Sequence, residues 1–265
     1  MKCLILGCGT STGVPIPGCS CEVCQSSNSG NKRSRSSVLI TTDSGKNILI
    51  DAGPDLRYQA LANNINHLSS VIFTHGHADH ILGIDDLRGF NFVQQGAEIP
   101  CYASQHTLEK IMACFAYIVE PHPEYEGGML ARVAFSIIEP YLPFSVSGIE
   151  VLPILLKHGS SDVLGFVVGE LVYATDCNHL PQKTQEIIKG KKYLLLDGLR
   201  DTPHSTHFSI PEAVAMGQKL EVENLILTHM THSVDYDKTN KQLPTNTELA
   251  YDGMVIEFKG YTRRQ

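Results

Sequence analysis

Residues His75-Gly76-His77-Ala78-Asp79-His80 place three imidazoles and a carboxylate within six positions, directly after the apolar run Val71-Ile72-Phe73-Thr74. A hydrophobic core has no use for that composition. The run at 68–74 is short, apolar and β-branched at Val71 and Ile72, which reads as a buried strand. The polar cluster starts where the strand stops, and side chains on a loop at a strand end can converge on one point. Imidazole and carboxylate are donors that suit zinc, iron or manganese. The segment therefore reads as part of a metal site.

The same arrangement recurs further along the chain. His158 follows an apolar run at 151–156, Asp176 follows Val172-Tyr173-Ala174-Thr175, and His229 follows Leu225-Ile226-Leu227-Thr228. Each is a strand-like run ending in a ligand-type residue, as a two-metal site assembled from several strand ends requires.

The 265 residues are long enough to bury a sizeable core, and 42% hydrophobic with 18% charged residues is a globular composition. A formal net charge of -7 argues against tRNA or DNA as the main partner. No stretch of about 18 apolar residues suggests a transmembrane helix. The run Met1 to Gly7 is too short for a signal peptide and reads as the first strand of a cytoplasmic protein.

Strands are expected at 3–6, 37–41, 47–50, 70–74, 99–102, 133–138, 151–156, 164–168, 171–174, 193–196 and 225–228. Helices are expected around 54–62, 105–117, 181–189 and 210–220, with 112–115 as helix core. Ser209-Ile210-Pro211-Glu212 is a capping-box signature for the last of them. Strands outnumber helices, which suits a two-sheet sandwich with helices outside. Segment 18–35 is rich in Cys, Ser and Asn and would be a floppy loop without a cross-link. Arg88 and Lys157 read as solvated charges or salt-bridge partners.

With Asp51 in Leu49-Ile50-Asp51-Ala52-Gly53, this ligand pattern resembles the metallo-β-lactamase superfamily over essentially the whole chain. The resemblance implies an α/β fold, a four-layer αββα sandwich forming one domain over 1–265. It implies His75, His77 and His158 on one divalent metal, manganese or zinc. Asp79, His80 and His229 would hold a second, with Asp176 bridging.

Two further features narrow the reading. Cys19, Cys21 and Cys24 suit a tetrahedral structural zinc that lacks one ligand, and His232 could supply it. Such a zinc would pin the loop at about 18–35 beside the metal edge. In the stretch Arg200 to Ser209, His204 and His207 are not needed as ligands and stand where a substrate could meet them. Together these features resemble the PhnP-type branch of the superfamily, phosphodiesterases that open a ribosyl 1,2-cyclic phosphate. That resemblance implies a small phosphodiester substrate, attack by a metal-bridging hydroxide, and His207 as general acid. Asp79 joins His207 in the catalytic set, and His204 and Arg200 are candidate substrate contacts. A homodimer is the default assembly.

The zinc region also resembles the accessory protein of pyrroloquinoline quinone biosynthesis. His204-Ser205-Thr206 resembles part of a tRNA 3′-processing ribonuclease signature, but no basic arm to grip tRNA is visible. A β-lactamase, a thioester hydrolase or a sulfur dioxygenase would keep the two-metal ligands without requiring the Cys3His set or His207.

Overall fold

The computed structural model describes residues 1–119 and 127–260. Strands β1 (Lys2–Gly7), β2 (Ser37–Thr41), β3 (Asn47–Ile50), β4 (Ser70–Ile72), β5 (Ile99–Ala103) and β6 (Val133–Ile137) come first. Then follow β7 (Phe144–Val146), β8 (Ile149–His158), β9 (Ser161–Val168), β10 (Leu171–Ala174), β11 (Tyr193–Asp197), β12 (Asn224–Thr228), β13 (Thr247–Leu249) and β14 (Val255–Glu257). They form two mixed sheets, ordered β14-β1-β2-β3-β4-β5-β6 and β13-β12-β11-β10-β9-β8-β7.

The helices are α1 (Glu22–Gln25), α2 (Leu56–Ala62), α3 (Ala78–Ile81), α4 (Leu87–Val93), α5 (Gln105–Cys114), α6 (Ala116–Val119), α7 (Gln182–Ile188), α8 (Ile210–Lys219) and α9 (Tyr236–Asn240). The largest core lies between the sheets, where Ile5, Ile40 and Ile50 meet Leu156, Phe166 and Leu196. A second apolar layer seats Leu56, Leu87, Phe90 and Ile111 on the outer face of the first sheet. Helices α7 and α8 cover the second sheet. This is the αββα sandwich expected from the sequence.

All the expected strands form, with β4 ending at Ile72 and β8 running on to include His158. The short β7, β13 and β14 lie at sheet edges, where half-exposed strands leave a weak pattern. The expected helix at 105–117 breaks at Phe115, whose backbone (φ -129°, ψ 38°) leaves the helical region. The 112–115 core reading is corrected with it: Ile111 and Phe115 turn inward, and Ala113 and Cys114 face solvent. Glu212 accepts from the Ser209 amide (2.9 Å) and hydroxyl (2.6 Å), which fixes the start of α8. Among the described residues no helix is long and apolar enough to cross a membrane.

Candidate metal centres and a buried histidine–aspartate pair

Strand ends from both sheets meet at one edge of the sandwich. Asp51 follows β3, His75 lies beyond β4, His158 ends β8, Asp176 lies beyond β10, and His229 follows β12. Asp79 and His80 come from α3, which opens directly after His77. Gly53 is required there, because a Cβ on it would lie 2.1 Å from the Asp79 carbonyl oxygen.

Donor atoms gather in overlapping groups, each within 4.8 Å: Asp79, His80, Asp176 and His229; His75, His77 and Asp176; His158, Asp176 and His207. Asp176 belongs to all three, and its two oxygens face different imidazoles. Oδ2 lies 3.6 Å from His75 Nε2, while Oδ1 lies 3.4 Å from His80 Nε2 and 3.0 Å from His229 Nδ1. A carboxylate so placed can bridge two cations.

The hydrogen bonds around the cluster decide which nitrogens are free. His80 Nδ1 donates to Asp51 Oδ2 at 2.7 Å. The Thr74 hydroxyl also donates to Asp51 Oδ2 (2.8 Å), so it accepts from His75 Nδ1 (3.0 Å). His158 Nδ1 donates to the Thr206 carbonyl at 2.9 Å. Three rings thus spend Nδ1–H outward and keep an Nε2 lone pair inward, the outer-sphere arrangement that orients metal ligands. His75 Nε2, His80 Nε2 and Asp79 Oδ2 are buried without a hydrogen-bond partner among the described residues. Orphaned ligand atoms of this kind call for a cation. His229 differs, with Nδ1 also 3.1 Å from the Ser36 hydroxyl and Nε2 3.3 Å from the Thr10 hydroxyl.

The electrostatics agree. Burial pushes His75 well below the ordinary histidine range, with neighbouring His80 adding to the shift. Burial also lowers His158. Burial works against the charge on His80, but Asp176 and Asp51 hold its pKa well above the usual value, so that a divalent ion at Nε2 would take the place of a proton these carboxylates already favour. Against burial, His229 and His80 keep Asp176 well below the carboxylate range, and a hydrogen bond and charge from His80 hold Asp79 at about 2. Ionised carboxylates in a closed cleft need compensating positive charge, which divalent ions supply.

The sequence reading missed Asp197. It ends β11 and is fully buried, and its Oδ2 accepts from His207 Nδ1 at 2.7 Å and from the Cys177 amide at 2.9 Å. The signal was present: Leu194-Leu195-Leu196-Asp197 is one more apolar run ending in a carboxylate. Burial opposes a charge on His207, yet the Asp197 hydrogen bond and the carboxylates of Asp197, Asp176 and Asp79 raise its pKa. The His207 ring stacks on His229 (4.9 Å between centroids) and meets His158 edge-on (4.7 Å).

His204 lies 5.2 Å from His207, ring to ring, on an exposed loop, with Nδ1 toward the Thr206 hydroxyl. The Arg200 guanidinium donates to the Thr202 and Pro203 carbonyls of the same loop, so its hydrogen bonds there brace the loop. Arg88 pairs with Asp85 at 3.4 Å, and Lys157 pairs with Asp162.

A separate donor set lies on the 18–35 segment. Sγ of Cys19, Cys21 and Cys24 stand 3.4, 3.4 and 3.6 Å from His232 Nδ1. Tetrahedral zinc with bonds of about 2.3 Å to sulfur and about 2.05 Å to nitrogen spaces S and N by about 3.5 Å, so the four donors fit. The Cys24 amide donates to Cys21 Sγ, and this with the His232 contact holds the thiol at about 6 against burial, which favours the thiolate a metal needs. Fully buried Arg33 ties this segment to the one bearing His229 and His232, donating to the Gly30, Thr231 and Val234 carbonyls and to Asn31 Oδ1.

The model of the beta-lactamase superfamily domain matches residues 46–230, which takes in the edge cluster from Asp51 to His229. The chain belongs to the β-lactamase superfamily. A member described as a new diphosphatase from the PhnP family superposes with a TM-score of 0.91, at 36% identity, over 99% of both chains. Zinc-bound PqqB from Methylobacterium extorquens superposes at 0.79 with 20% identity over 97% of this chain and all of that one, a likeness of fold. A curated relative named octanoyltransferase, from Porphyromonas gingivalis, is 36% identical over 98% of this chain. This chain spans only 52% of that relative's length. The superfamily fold implies divalent metal binding, and the edge cluster is where its members' shared sandwich brings ligand-type side chains together here.

Proposed function

We propose that this chain is a dinuclear metal-dependent hydrolase that cleaves a phosphodiester, with a small cyclic phosphate such as ribosyl 1,2-cyclic phosphate as its substrate class. The observation that carries the reading is an imidazole beside the proposed ligands whose other nitrogen is already committed: His207, held through Nδ1 by buried Asp197 at 2.7 Å, with its ring on His229. His75, His77 and His158 would hold one divalent ion, Asp79, His80 and His229 the other, and Asp176 both. Two such ions, manganese or zinc, would activate water and neutralise phosphoryl oxygens. Cys19, Cys21, Cys24 and His232 would hold one zinc that orders the 18–35 segment.

The residues do the rest. Asp197 fixes the His207 ring with Nδ1–H outward and favours its protonated form. The Nε2 proton is then presented to the departing oxygen, because an alkoxide is a poor leaving group without one; such a step is worth about 10²–10⁴-fold. A second reading, diphosphate hydrolysis, is favoured by what the 36% identical PhnP-family structure is called. Its leaving group is a phosphate, which needs a proton far less.

The test loads purified protein with manganese or zinc. It then compares a cyclic ribosyl phosphate, bis(p-nitrophenyl) phosphate and a dinucleoside diphosphate, with an octanoyl thioester as the acyl control. His207→Ala should cost about 10²-fold or more on the cyclic ester and less on the nitrophenyl diester. Equal loss on both would defeat the acid role. Turnover confined to the diphosphate would establish the second reading instead.

A further inference from the structure

Three polar atoms of the second sheet are buried without a hydrogen-bond partner among the described residues and play no part as proposed ligands: Asp197 Oδ1, Thr228 Oγ1 and the Tyr173 hydroxyl. They belong to side chains 0%, 1% and 2% exposed. In native structures buried polar atoms are almost always hydrogen-bonded, so three left alone in one layer need an explanation.

The strand register brings them together. Asp197 of β11 is the direct partner of Thr228 on parallel β12, and Tyr173 of β10 is the partner of Leu195, two residues before Asp197. With the period of two along a strand, Tyr173, Asp197 and Thr228 share one face of the sheet across three adjacent strands. The Tyr173 phenol is raised by burial and then by the carboxylates of Asp51, Asp176 and Asp197, so its O–H stays protonated and can donate. Asp197 has already given Oδ2 to His207 and the Cys177 amide, leaving Oδ1 free to accept.

We propose that Thr228 is a positioning residue for the Asp197–His207 pair, its hydroxyl linked to Asp197 Oδ1 through one buried water shared with the Tyr173 hydroxyl. An ordered buried water takes two to four polar partners, and these three unpartnered atoms on one face of the sheet would supply them. The linkage fixes the carboxylate plane, and the carboxylate in turn fixes the imidazole. The mechanistic consequence rests on the acid role proposed for His207; the hydrogen-bonded linkage does not.

Thr228→Val keeps shape and removes the hydroxyl, and Thr228→Ser restores it. Two measurements separate the claims. The first is solvent exchange of the His207 Nδ1–H proton, followed by NMR in the protein as purified. Thr228→Val should speed it about tenfold, Tyr173→Phe should speed it too, and Thr228→Ser should return it to the wild-type rate. The second is kcat against leaving-group acidity with the manganese-loaded enzyme. Thr228→Val should lose about tenfold on an alkyl diester, with KM unchanged, and progressively less as the leaving group becomes more acidic. Loss of one hydrogen bond to a charged group is of that size. Wild-type exchange in Thr228→Val overturns the proposal, and so does a loss that is uniform across leaving groups or not restored by Ser. If His207→Ala shows no leaving-group dependence, the acid reading fails, and the exchange measurement still decides the linkage.

Discussion

Replacing Asp197 by Asn tests what the buried carboxylate contributes, and the structure sets the size of the effect. An Asn can turn either its oxygen or its NH2 group toward His207. If the NH2 faced the ring, Nδ1 would have to accept, the tautomer would invert, and losses near 10⁴-fold follow from such inversions. The Cys177 amide decides against that outcome. It is a fixed donor 2.9 Å from the same Oδ2 that His207 reaches at 2.7 Å, so an oxygen must stay there. The Asn NH2 then takes the position of Oδ1, which has no hydrogen-bond partner among the described residues. The tautomer survives and only the negative charge is lost, turning a charge-assisted bond of about 1.5–3 kcal/mol into a neutral one of about 1. The expected fall in kcat is about tenfold on an alkyl diester and smaller on a nitrophenyl diester. Asp197→Ala, which removes the acceptor altogether, should cost at least tenfold more. The assay is steady-state hydrolysis of a diester series by the manganese-loaded variants. A loss near 10⁴-fold for Asn, or one independent of the leaving group, would refute the reasoning.

Other perturbations bear on the frame around this pair. Cys21→Ser should release one tightly held zinc, counted by metal analysis after dialysis, and lower the thermal midpoint; unchanged zinc content would exclude the Cys3His assignment. Arg33→Met should cost about 3 kcal/mol or more in urea unfolding, because four acceptors lose a buried donor; a change under 1 kcal/mol would show that they find other partners. Gly53→Ala should reduce both bound metal and activity by displacing the Asp79 carbonyl, which stands 2.1 Å from the new Cβ; wild-type metal content would contradict this.

Much of this edge was legible because ligands sit where apolar runs stop. His75, His158, Asp176 and His229 were all found that way, and Asp197 obeys the same rule. It escaped notice because a single carboxylate after Leu194-Leu195-Leu196 also reads as an ordinary strand terminus, and its partner His207 is ten residues away on a loop. The 18–35 segment was hard to read for a different reason. Its order comes from contacts to residues 231–235, including Arg33 to Thr231 and Val234 and Asn31 to Asp235, and a local pattern cannot carry them. The edge strands β7, β13 and β14 have three residues each, too few to show a period of two.

Backbone conformation was the feature least visible in the sequence, and it bears most directly on how the edge cluster is built. Asp51, Asp176 and His229 all occupy the left-handed region, with φ of 65°, 56° and 59°. Glycine would be the cheap residue at such a turn, so a sequence reader looks for glycine there. Each non-glycine residue costs about 1–2 kcal/mol in that conformation. The cost falls on three residues with related tasks: Asp51 holds His80, and Asp176 and His229 face each other at 3.0 Å. In each case the chain turns as it leaves a buried strand, directly after it at Asp51 and His229 and one residue later at Asp176, and the turning residue carries a side chain of the edge cluster. A glycine would relieve the turn and leave nothing to aim. Strain at these strand ends therefore follows from requiring one residue to serve as both turn and donor, and it is sustained by the sheets that bury both sides of β3, β10 and β12.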